Sequence, residues 1–322
     1  MARPSDQINV RLINKVSLLY YNLELTQQKI AKRLNLSRPK VSRLLKQARE
    51  LGIVKITVEA TNGNFIDQEI DLEKKFGLKE VIIVDSVQTG EEKSDQTLKL
   101  QLGKAGSKYL ERTISDKDII GVTWGTTLSA MIETMMPTPT KGVLAVQMLG
   151  GVGPPEAKEH AIDITRRLAQ LLNGRSILLQ VPGVVDNPET KKVLLSDRRV
   201  AEAFEVFPKI NIAFVGIGAL STNPVLQKES PEISGKIQNE ILSSDAVGDI
   251  GLNFFDKEGN PVETQLQDLF IGMSIKELRE IETVVGIAGG EDKFDAILGA
   301  LEGKHINVLI TDYDTATKLT SL

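Results

Sequence analysis

The spacing of hydrophobic residues divides the chain into two parts. In residues 1–58, apolar side chains recur three or four positions apart, which is typical of amphipathic helices, and the first clear helix is predicted over 11–22. Beyond residue 58, many apolar residues stand in short continuous runs separated by amphipathic stretches. Such runs indicate buried parallel strands that alternate with helices. We therefore predict a small helical domain, 1–58, followed by a larger domain of strands and helices, 59–322.

Two short helices joined by a tight turn are predicted within residues 25–52. Thr26 is placed to cap the first helix. Ser37 is placed to cap the second, and Pro39 falls within its first turn, where a missing N–H costs nothing. Helical spacing predicts that the following residues face inward: Ile30, Ala31, Leu34, Val41, Leu44, Leu45 and Ala48.

This pair has the arrangement of a helix-turn-helix, whose second helix enters the major groove of DNA. A helical hairpin of another function would share the apolar spacing, but the capping, the turn and the basic outer face together favour DNA binding. Gly52 ends the second helix, and the alternation in IVKITV, residues 53–58, predicts a short strand as a wing. The residues expected to contact DNA are Gln27, Ser37, Arg38, Lys40, Ser42 and Arg43.

Charge is distributed unevenly and supports the same interpretation. Residues 1–55 contain 12 Lys and Arg against 3 Asp and Glu, whereas the remainder contains 27 against 40. The net charge of −4 therefore conceals a basic head on an acidic body. This asymmetry indicates a polyanionic partner, double-stranded DNA, for the head alone.

Composition excludes several other classes of chemistry. The chain has no cysteine, which excludes disulfides, thiolate zinc sites and cysteine nucleophiles, and it has only two histidines, His160 and His305. No apolar run approaches the roughly 20 residues that a membrane span needs, and the N-terminus lacks the apolar segment of a signal peptide. We therefore expect a cytoplasmic protein that binds no membrane and holds no metal.

The body is predicted to be a doubly wound α/β sheet, with ligands at the carboxyl ends of its strands. Apolar runs predict strands within 80–86, 118–124, 142–149, 176–185, 210–220, 283–290 and 305–312. Amphipathic segments predict helices over 65–78, 96–113, 126–136, 159–173, 198–206, 231–242 and 291–302.

The end of one predicted strand suggests a phosphate site. In GVTWGTTLSAM, residues 121–131, Gly125, Thr126 and Thr127 follow the strand and open a helix. Glycine lets backbone N–H groups approach a ligand closely, and the start of a helix favours an anion. Because backbone donors and two hydroxyls coincide here, the loop predicts binding of a phosphorylated metabolite.

Glycines at other strand ends carry less information, because strand-to-helix turns often contain glycine for steric reasons. They are Gly150, Gly151, Gly216, Gly218, Gly289 and Gly290. The sequence GIGALS, 216–221, departs from the dinucleotide-binding pattern at its last glycine and lacks a convincing ribose-binding acid further on. No nicotinamide or other cofactor is therefore expected.

These segments together resemble the SorC/DeoR class of bacterial sugar-binding transcriptional regulators, over nearly the whole chain. The resemblance rests on QQKIAKRLNLSRPKVSRLL in the head and on GVTWGTTL, VQMLGG, VGDI, FFDKEGN, GIAGGEDKFDAILGAL and INVLITD in the body. It implies an effector domain related in fold to sugar-phosphate isomerases and deaminases. It also implies a homodimer or homotetramer bound to a palindromic or repeated operator.

Within this class the chain is most similar to the deoxyribonucleoside regulators, which implies a repressor controlled by deoxyribose 5-phosphate. Lys293 resembles the class's second phosphate ligand, and Asp249 resembles its acidic hydroxyl-binding position. Gln147, Asp186 and Asn187 stand near predicted strand ends, where capping or turn formation explains them equally well. The resemblance places four residues around the phosphate: Gly125, Thr126, Thr127 and Leu128.

Lys141 has two possible placements. It precedes the strand predicted within 142–149, so the simplest geometry puts it at the opposite edge of the sheet, exposed to solvent. Alternatively, the preceding PTPT stretch folds across the mouth of the pocket and brings the ammonium to the effector, as an ion-pair partner or as a Schiff-base amine.

Two other functions remain open at this point. An active sugar-phosphate isomerase could use Asp249 or Asp186 for proton transfer, but a DNA-binding head has no purpose in such an enzyme. A regulator of the same class could instead sense a glycolytic intermediate such as fructose bisphosphate. That ligand needs a second cationic cluster, and the predicted pocket loops contain few arginines, which favours a monophosphate.

Overall fold

The chain folds as two units, Met1–Asn64 and Phe65–Leu322. The computed structural model describes residues 4–55, 65–85, 95–151, 155–223, 226 and 233–322, and side chains are described from residue 10 and, after the third gap, from residue 162. The predicted boundary between 58 and 59 falls outside these ranges and stays a prediction.

In the described part of the N-terminal unit, three α-helices pack around one small core. The first helix continues into a π-helical segment, Leu18–Asn22. The helices are α1 (Pro4–Ser17), α2 (Gln27–Leu34) and α3 (Arg38–Glu50). Their shared core contains Ile13, Val16, Leu19, Ile30, Ala31, Val41, Leu44, Leu45 and Ala48.

The caps predicted for the helical pair are confirmed. Thr26 Oγ1 accepts a hydrogen bond from the backbone N–H of Lys29 at 3.3 Å. Ser37 Oγ accepts one from the N–H of Lys40, also at 3.3 Å. Between them, Asn35 adopts a left-handed conformation with φ of 49°, which ends α2 and turns the chain into α3.

The predicted wing is not seen where it can be checked. Residues 53–55 form no strand, and residues 56–58 lie outside the described residues. Val54 donates its N–H to the carbonyl of Ala48 at 3.1 Å and packs against the helical core. Residues 53–55 therefore pack as a turn against the end of α3.

The C-terminal unit contains a parallel sheet of seven strands in the order β1-β10-β9-β5-β2-β3-β4, and a three-stranded antiparallel sheet, β6-β7-β8. The strands are β1 (Glu80–Val84), β2 (Ile119–Val122), β3 (Leu144–Gln147), β4 (Arg175–Ile177), β5 (Ile212–Gly216), β6 (Gly218–Ala219), β7 (Gly248–Ile250), β8 (Asn253–Phe255), β9 (Thr283–Ile287) and β10 (Val308–Asp312).

Helices cover both faces of the large sheet, which confirms the predicted doubly wound fold. None of the helices that the structure describes is long and apolar enough to cross a membrane. The helices are α4 (Ile66–Phe76), α5 (Asp95–Thr113), α6 (Thr126–Thr134), α7 (Pro155–Leu171), α8 (Pro188–Ser196), α9 (Arg198–Val206), α10 (Gly235–Leu242), α11 (Leu266–Leu269), α12 (Ile275–Arg279), α13 (Phe294–Glu302) and α14 (Tyr313–Ser321).

Two hydrophobic cores lie on the two faces of the sheet. On one face, α5, α6 and α7 bury Leu110, Met131 and Leu168. On the other, α4, α9, α13 and α14 bury their apolar sides, which include Leu72 and Leu319. Because both faces are covered, the inner strands β2, β5, β9 and β10 are buried along most of their length and lack the alternation of a half-exposed sheet.

Close packing fixes α5 against its neighbours. A Cβ atom at Gly103 would lie 2.6 Å from the backbone carbonyl carbon of Ala130 in α6. A Cβ at Gly106 would lie 2.6 Å from Cδ1 of Ile287, in β9. Only hydrogen at these two positions allows the helix to approach both elements, so α5 cannot slide along the sheet without opening this contact.

The outer edge of β1 is covered by side chains of α4. The N–H of Val81 donates to Oε1 of Glu73 at 3.0 Å. The N–H of Ile83 donates to Oε1 of Glu69 at 2.9 Å. The two carboxylates thereby occupy donors that a further strand would otherwise pair with.

Some predicted elements are wrong. The apolar run 178–185 forms no strand beyond β4 and makes only isolated bridges, because Pro182 offers no N–H to a ladder. The run 210–220 breaks after Gly216 into β5 and β6. The small sheet itself is not anticipated by the hydrophobic pattern, since its strands are only two or three residues long.

His305 links stability to pH. It is fully buried, and its Nδ1 accepts a hydrogen bond from Nε of Arg279 at 3.0 Å. Burial, and then the charge of Arg279, lower the pKa of His305 from 6.5 to about 4. The unfolded chain therefore binds this proton at a higher pH than the folded chain does, and acid favours unfolding between about pH 6.5 and 4.

We predict that the free energy of unfolding falls by about 2–3 kcal/mol more in the natural protein than in His305→Gln when the pH is lowered from 7 to 4, at about 1.4 kcal/mol per unit of pKa shift. Glutamine keeps an acceptor for Arg279 but has no proton to gain. Urea unfolding at pH 7, 5.5 and 4 measures the difference. Parallel pH profiles for the two proteins would contradict the assignment.

Candidate functional site

The outer face of α3 carries the side chains predicted to contact DNA. Arg38, Lys40, Ser42 and Arg43 are all exposed, whereas the hydroxyl of Ser37 is engaged in the cap. The first turn of α3 contains no acidic residue. A helix start that presents basic side chains and no acidic ones suits the phosphate backbone of DNA.

Gln27, from the start of α2, belongs to the same surface. It lines a groove of about 640 Å³ together with Arg38 and Tyr20. Side chains from both helices of the pair therefore meet in one groove beside the exposed face of α3. The structure brings together Gln27 and Arg38, which lie 11 positions apart in the sequence.

In the C-terminal unit, the carboxyl ends of β2, β5 and β9 form the candidate effector site. The three strands are neighbours in the sheet. The chain leaves β2 toward β3 but leaves β5 toward β9, in the opposite direction. Ligands of doubly wound sheets bind at such a point, where the order of strands reverses.

The loop after β2 has the geometry of an anion site. Gly125 has φ of 146° and ψ of 153°, a conformation that is essentially restricted to glycine. Helix α6 begins at the next residue, so the N–H groups of Thr126, Thr127 and Leu128 have no partner within the helix. Thr126 is exposed, Thr127 is buried and Leu128 packs into the core.

The loop after β9 repeats this conformation. Gly290 has φ of 102° and ψ of 150° and begins a 3₁₀ turn, Glu291–Lys293, that leads into α13. Its N–H donates to Oδ2 of Asp312 at 2.8 Å, which anchors the loop to the end of β10. Lys293 thereby stands at the start of α13, at the same edge of the sheet as Gly125.

Asp249 and Lys293 lie close enough to affect each other's ionisation. Asp249 Oδ1 accepts from Asn223 Nδ2 at 2.9 Å, and its Oδ2 accepts from the N–H of Leu252 at 2.9 Å. Burial raises the pKa of Asp249, and these hydrogen bonds and the charge of Lys293 partly offset the effect. A side chain at Gly218 would overlap this carboxylate, so glycine is required in the paired strand.

Lys293 shows the opposite shift. Burial, and then the positive charge of Lys99, lower the pKa of the Lys293 ammonium, while Asp249 and Asp95 act against the change. The structure therefore joins a carboxylate, an amide and two ammonium groups at this edge. Among the described residues, no group of three or more His, Cys, Asp or Glu could hold a metal ion.

Gln147 lies at the end of β3 and is only 2% exposed. Its Nε2 donates to the carbonyl of Leu149 at 2.7 Å. Its Oε1 has no hydrogen-bond partner within the described parts of the chain. A buried, unpaired acceptor at the carboxyl edge of the sheet suits the hydroxyl of a ligand.

Asp186 and Asn187 are both exposed, immediately before α8. Asn187 caps this helix, because its Oδ1 accepts from the N–H of Thr190 at 2.8 Å. Capping, the alternative interpretation of Asn187, is therefore confirmed. No contact seen in the described residues connects Asp186 with Asp249 or Lys293.

The expectation that Lys141 reaches the effector is corrected. Lys141 is exposed, and its N–H donates to Oδ1 of Asp116 at 2.8 Å, while its carbonyl accepts from the N–H of Lys117 at 2.8 Å. Both partners precede β2, and Lys141 precedes the parallel strand β3. It therefore lies at the amino edge of the sheet, opposite Gly125.

Lys99 and Asn223 were missed by the sequence analysis. Lys99 lies in the second turn of α5, which follows β1 and starts at the carboxyl edge of the sheet. A lysine early in a helix that follows a strand was an available signal. Asn223 follows the short strand β6, so its role becomes visible only once the small sheet is known.

A helix-turn-helix unit and a sheet edge suited to an anionic ligand define a ligand-responsive transcriptional regulator. Comparison with known proteins agrees. Residues 61–321 match the sequence model of a family described as “Putative sugar-binding domain”. Residues 17–55 match a winged helix-turn-helix DNA-binding family.

Two relatives match over nearly their full length. The chain is 33% identical to the deoxyribonucleoside regulator of Bacillus subtilis, covering 99% of each protein. It is 31% identical to the sorbitol operon regulator of Klebsiella pneumoniae, covering 97% of this chain and 98% of that protein. The crystal structure of full-length SorC from Klebsiella pneumoniae superposes with a TM-score of 0.73 at 30% identity, over 97% of this chain and 98% of SorC.

The chain belongs to the SorC/DeoR family of sugar-responsive, DNA-binding transcriptional regulators. The matched relatives are regulators with sugar-binding domains and not enzymes. The prediction of a regulator in place of a sugar-phosphate isomerase is thereby confirmed.

The glycine-only conformation of Gly125 generates a prediction. We expect Gly125→Ala to lower the free energy of unfolding by about 1–3 kcal/mol, because an L-residue is strained at φ of 146°. No neighbouring atom lies within 4 Å of the new Cβ, so the effect arises from the backbone and not from a clash.

Gly235→Ala is the matched control. Gly235 is the first residue of α10, has open space around it and does not adopt positive φ. Urea unfolding should show Gly235→Ala within about 0.5 kcal/mol of the natural protein. Equal free energies of unfolding for the two variants would show that a side chain at position 125 causes no backbone strain.

Proposed function

We propose that the chain is a repressor released from its operator by a phosphorylated sugar, and that this sugar is deoxyribose 5-phosphate. The observation that carries the proposal is the pairing of two glycine-opened helix starts, at Gly125 and Gly290, on either side of β5. The similarity to the deoxyribonucleoside regulator of Bacillus subtilis supports the choice of sugar.

Each part of the proposed site has a chemical role. The N–H groups that begin α6, from Thr126 to Leu128, and the threonine hydroxyls bind the phosphate. The ammonium of Lys293 balances its charge. Asp249 and the free Oε1 of Gln147 accept hydrogen bonds from the sugar hydroxyls. A contact between Asp186 and the effector stays a prediction.

The described part of the site favours one phosphate over two. Its ammonium groups, Lys99 and Lys293, lie close enough that the charge of Lys99 lowers the pKa of Lys293. A bisphosphate would need a second, separate group of cations for its distant phosphate. We therefore place a sugar monophosphate ahead of a glycolytic bisphosphate as the effector.

Thermal unfolding of the full chain tests the effector directly. Deoxyribose 5-phosphate at about 100 times its dissociation constant should stabilise the protein by about 2.7 kcal/mol. Deoxyribose and fructose 1,6-bisphosphate at equal concentrations serve as controls. A larger shift with the bisphosphate would replace the proposed effector by a glycolytic one.

For DNA recognition we propose that α3 enters the major groove of the operator. We expect Arg38→Ala, Lys40→Ala or Arg43→Ala to cost about 1–3 kcal/mol of binding free energy where the residue reads a base, and to reduce the salt dependence where it contacts a phosphate. The probe is a duplex selected from a random library by the natural protein.

Lys46→Ala is the matched control for these variants. The substitution removes the same charge from the same helix, but Lys46 lies further from the helix start than all three tested residues and pairs with Glu50 at 3.8 Å. Its effect on operator affinity should be small. Unchanged affinity in Arg38→Ala, Lys40→Ala and Arg43→Ala alike would reject α3 as the recognition helix.

We further propose that the protein acts as a homodimer or homotetramer whose two heads span half-sites set by the helical repeat of DNA. A modest rotation of the effector domains then prevents simultaneous contact with both half-sites. A coupling free energy of roughly 1–3 kcal/mol is enough to change operator affinity 5- to 150-fold.

We therefore expect deoxyribose 5-phosphate to weaken operator binding 5- to 150-fold in a fluorescence-anisotropy titration. Lys293→Met should require a higher concentration of effector for the same release, with unchanged operator affinity in the absence of effector. Tightening of operator binding, or no change in the natural protein, would reject the inducer mechanism.

A further inference from the structure

The start of α5 lies directly against the loop that precedes Lys293. Cδ2 of Leu98 is 3.7 Å from the position that a Cβ of Gly290 would take, and Cδ1 of Leu102 is 3.2 Å from that of Gly289. The absence of a side chain at Gly103 lets this part of the helix pack directly against the backbone of Ala130 in α6. Lys99, located between Leu98 and Leu102 in the sequence, is thus held beside the candidate effector site.

Lys99 is paired, but with a partner that lies mostly in water. Its ammonium forms an ion pair with Oδ2 of Asp95, one turn earlier in α5. The side chain of Asp95 is 76% exposed, whereas that of Lys99 is only 31% exposed. Exposed pairs of this kind contribute little to stability, so exchange of Asp95 for another anion costs little.

The charge of Lys99 also reaches Lys293. After burial, it is the largest influence that lowers the pKa of the Lys293 ammonium. Two ammonium groups thus converge where α5 and the Gly290 loop meet. Phosphate monoesters carry about −1.5 to −2 at pH 7, so two cations match their charge better than one.

We propose that Lys99 is a second cationic ligand of the effector's phosphate, and that it exchanges Asp95 for this phosphate when the effector binds. The inference rests on the proposed function of the site as a sugar-phosphate sensor. In the ligand-free protein, the carboxylate of Asp95 neutralises Lys99 and thereby reduces the repulsion between the ammonium groups of Lys99 and Lys293. On binding, the phosphate takes over this role and Asp95 returns to water.

Calorimetric titration of the full-length protein tests the proposal with two probes, deoxyribose 5-phosphate and inorganic phosphate. Lys99→Met should weaken the binding of both by about ten- to a hundredfold, as expected for loss of a hydrogen bond between charged groups. Lys99→Arg should retain affinity within a few-fold. Unchanged affinity for both probes in Lys99→Met would overturn the proposal.

Asp95→Asn distinguishes a ligand from a structural pair. If Lys99 must leave Asp95 to bind phosphate, removal of the carboxylate should tighten binding several-fold, and the gain should vanish in Lys99→Met/Asp95→Asn. If the pair only stabilises the start of α5, Asp95→Asn should weaken binding as Lys99→Met does, and that outcome would overturn the proposal. Thermal unfolding of each variant shows whether the fold is retained.

Lys104→Met is the control for charge. Lys104 is exposed on the same helix but lines a different groove, with Lys108 and Tyr109. Its removal should leave both affinities unchanged. Phosphate binding that depends on Lys99 without any preference for the sugar phosphate would reject deoxyribose 5-phosphate but support Lys99, whereas absence of binding to either probe would overturn both.

Discussion

The candidate effector site depends on the parallel hydrogen bonding of β2, β5 and β9. This pairing brings the carboxyl ends of three strands that are distant in sequence to one edge of the sheet. Gly125 and Gly290 each follow the last residue of their strand by three positions and adopt nearly the same backbone conformation. The sheet therefore presents two glycine-opened turns on either side of β5, one leading directly into α6 and the other through a 3₁₀ turn into α13. Every other feature of the site is added to this frame.

Opposite charges in this frame are buried as a set. Desolvation raises the pKa of Asp249 and lowers that of Lys293, while the attraction between the two groups limits both shifts. Neither ion would be stable there alone, because an unpaired buried charge is costly. The attraction between Asp249 and Lys293 thus offsets part of the desolvation cost of keeping both groups buried at the site.

Local rules predicted the helical head and most of the large sheet. Capping by Thr26 and Ser37 and the bounds of α9 follow from side-chain chemistry and helical spacing, which act over a few residues. The small antiparallel sheet was missed because its strands are too short to show a period. Asn223 was missed because its relevance depends on a hydrogen bond with Asp249 that no local pattern encodes. Lys99 had a local signal, its place early in α5, but its nearness to Lys293 depends on the tertiary fold. The sequence allowed two placements of Lys141. Because Lys141 directly precedes β3, which runs parallel to β2, the fold puts it at the amino edge of the sheet.

The covering of β1 by Glu69 and Glu73 has a consequence for self-assembly. A strand whose outward N–H groups are already bonded to the side chains of two glutamates does not offer those donors to a second copy that would extend its sheet. Any oligomer that grows by continuing the sheet must therefore use the β4 side, while contacts through the helical layers remain unrestricted. Two glutamates on a single helix thus restrict which edge of the sheet a second copy of this chain can extend.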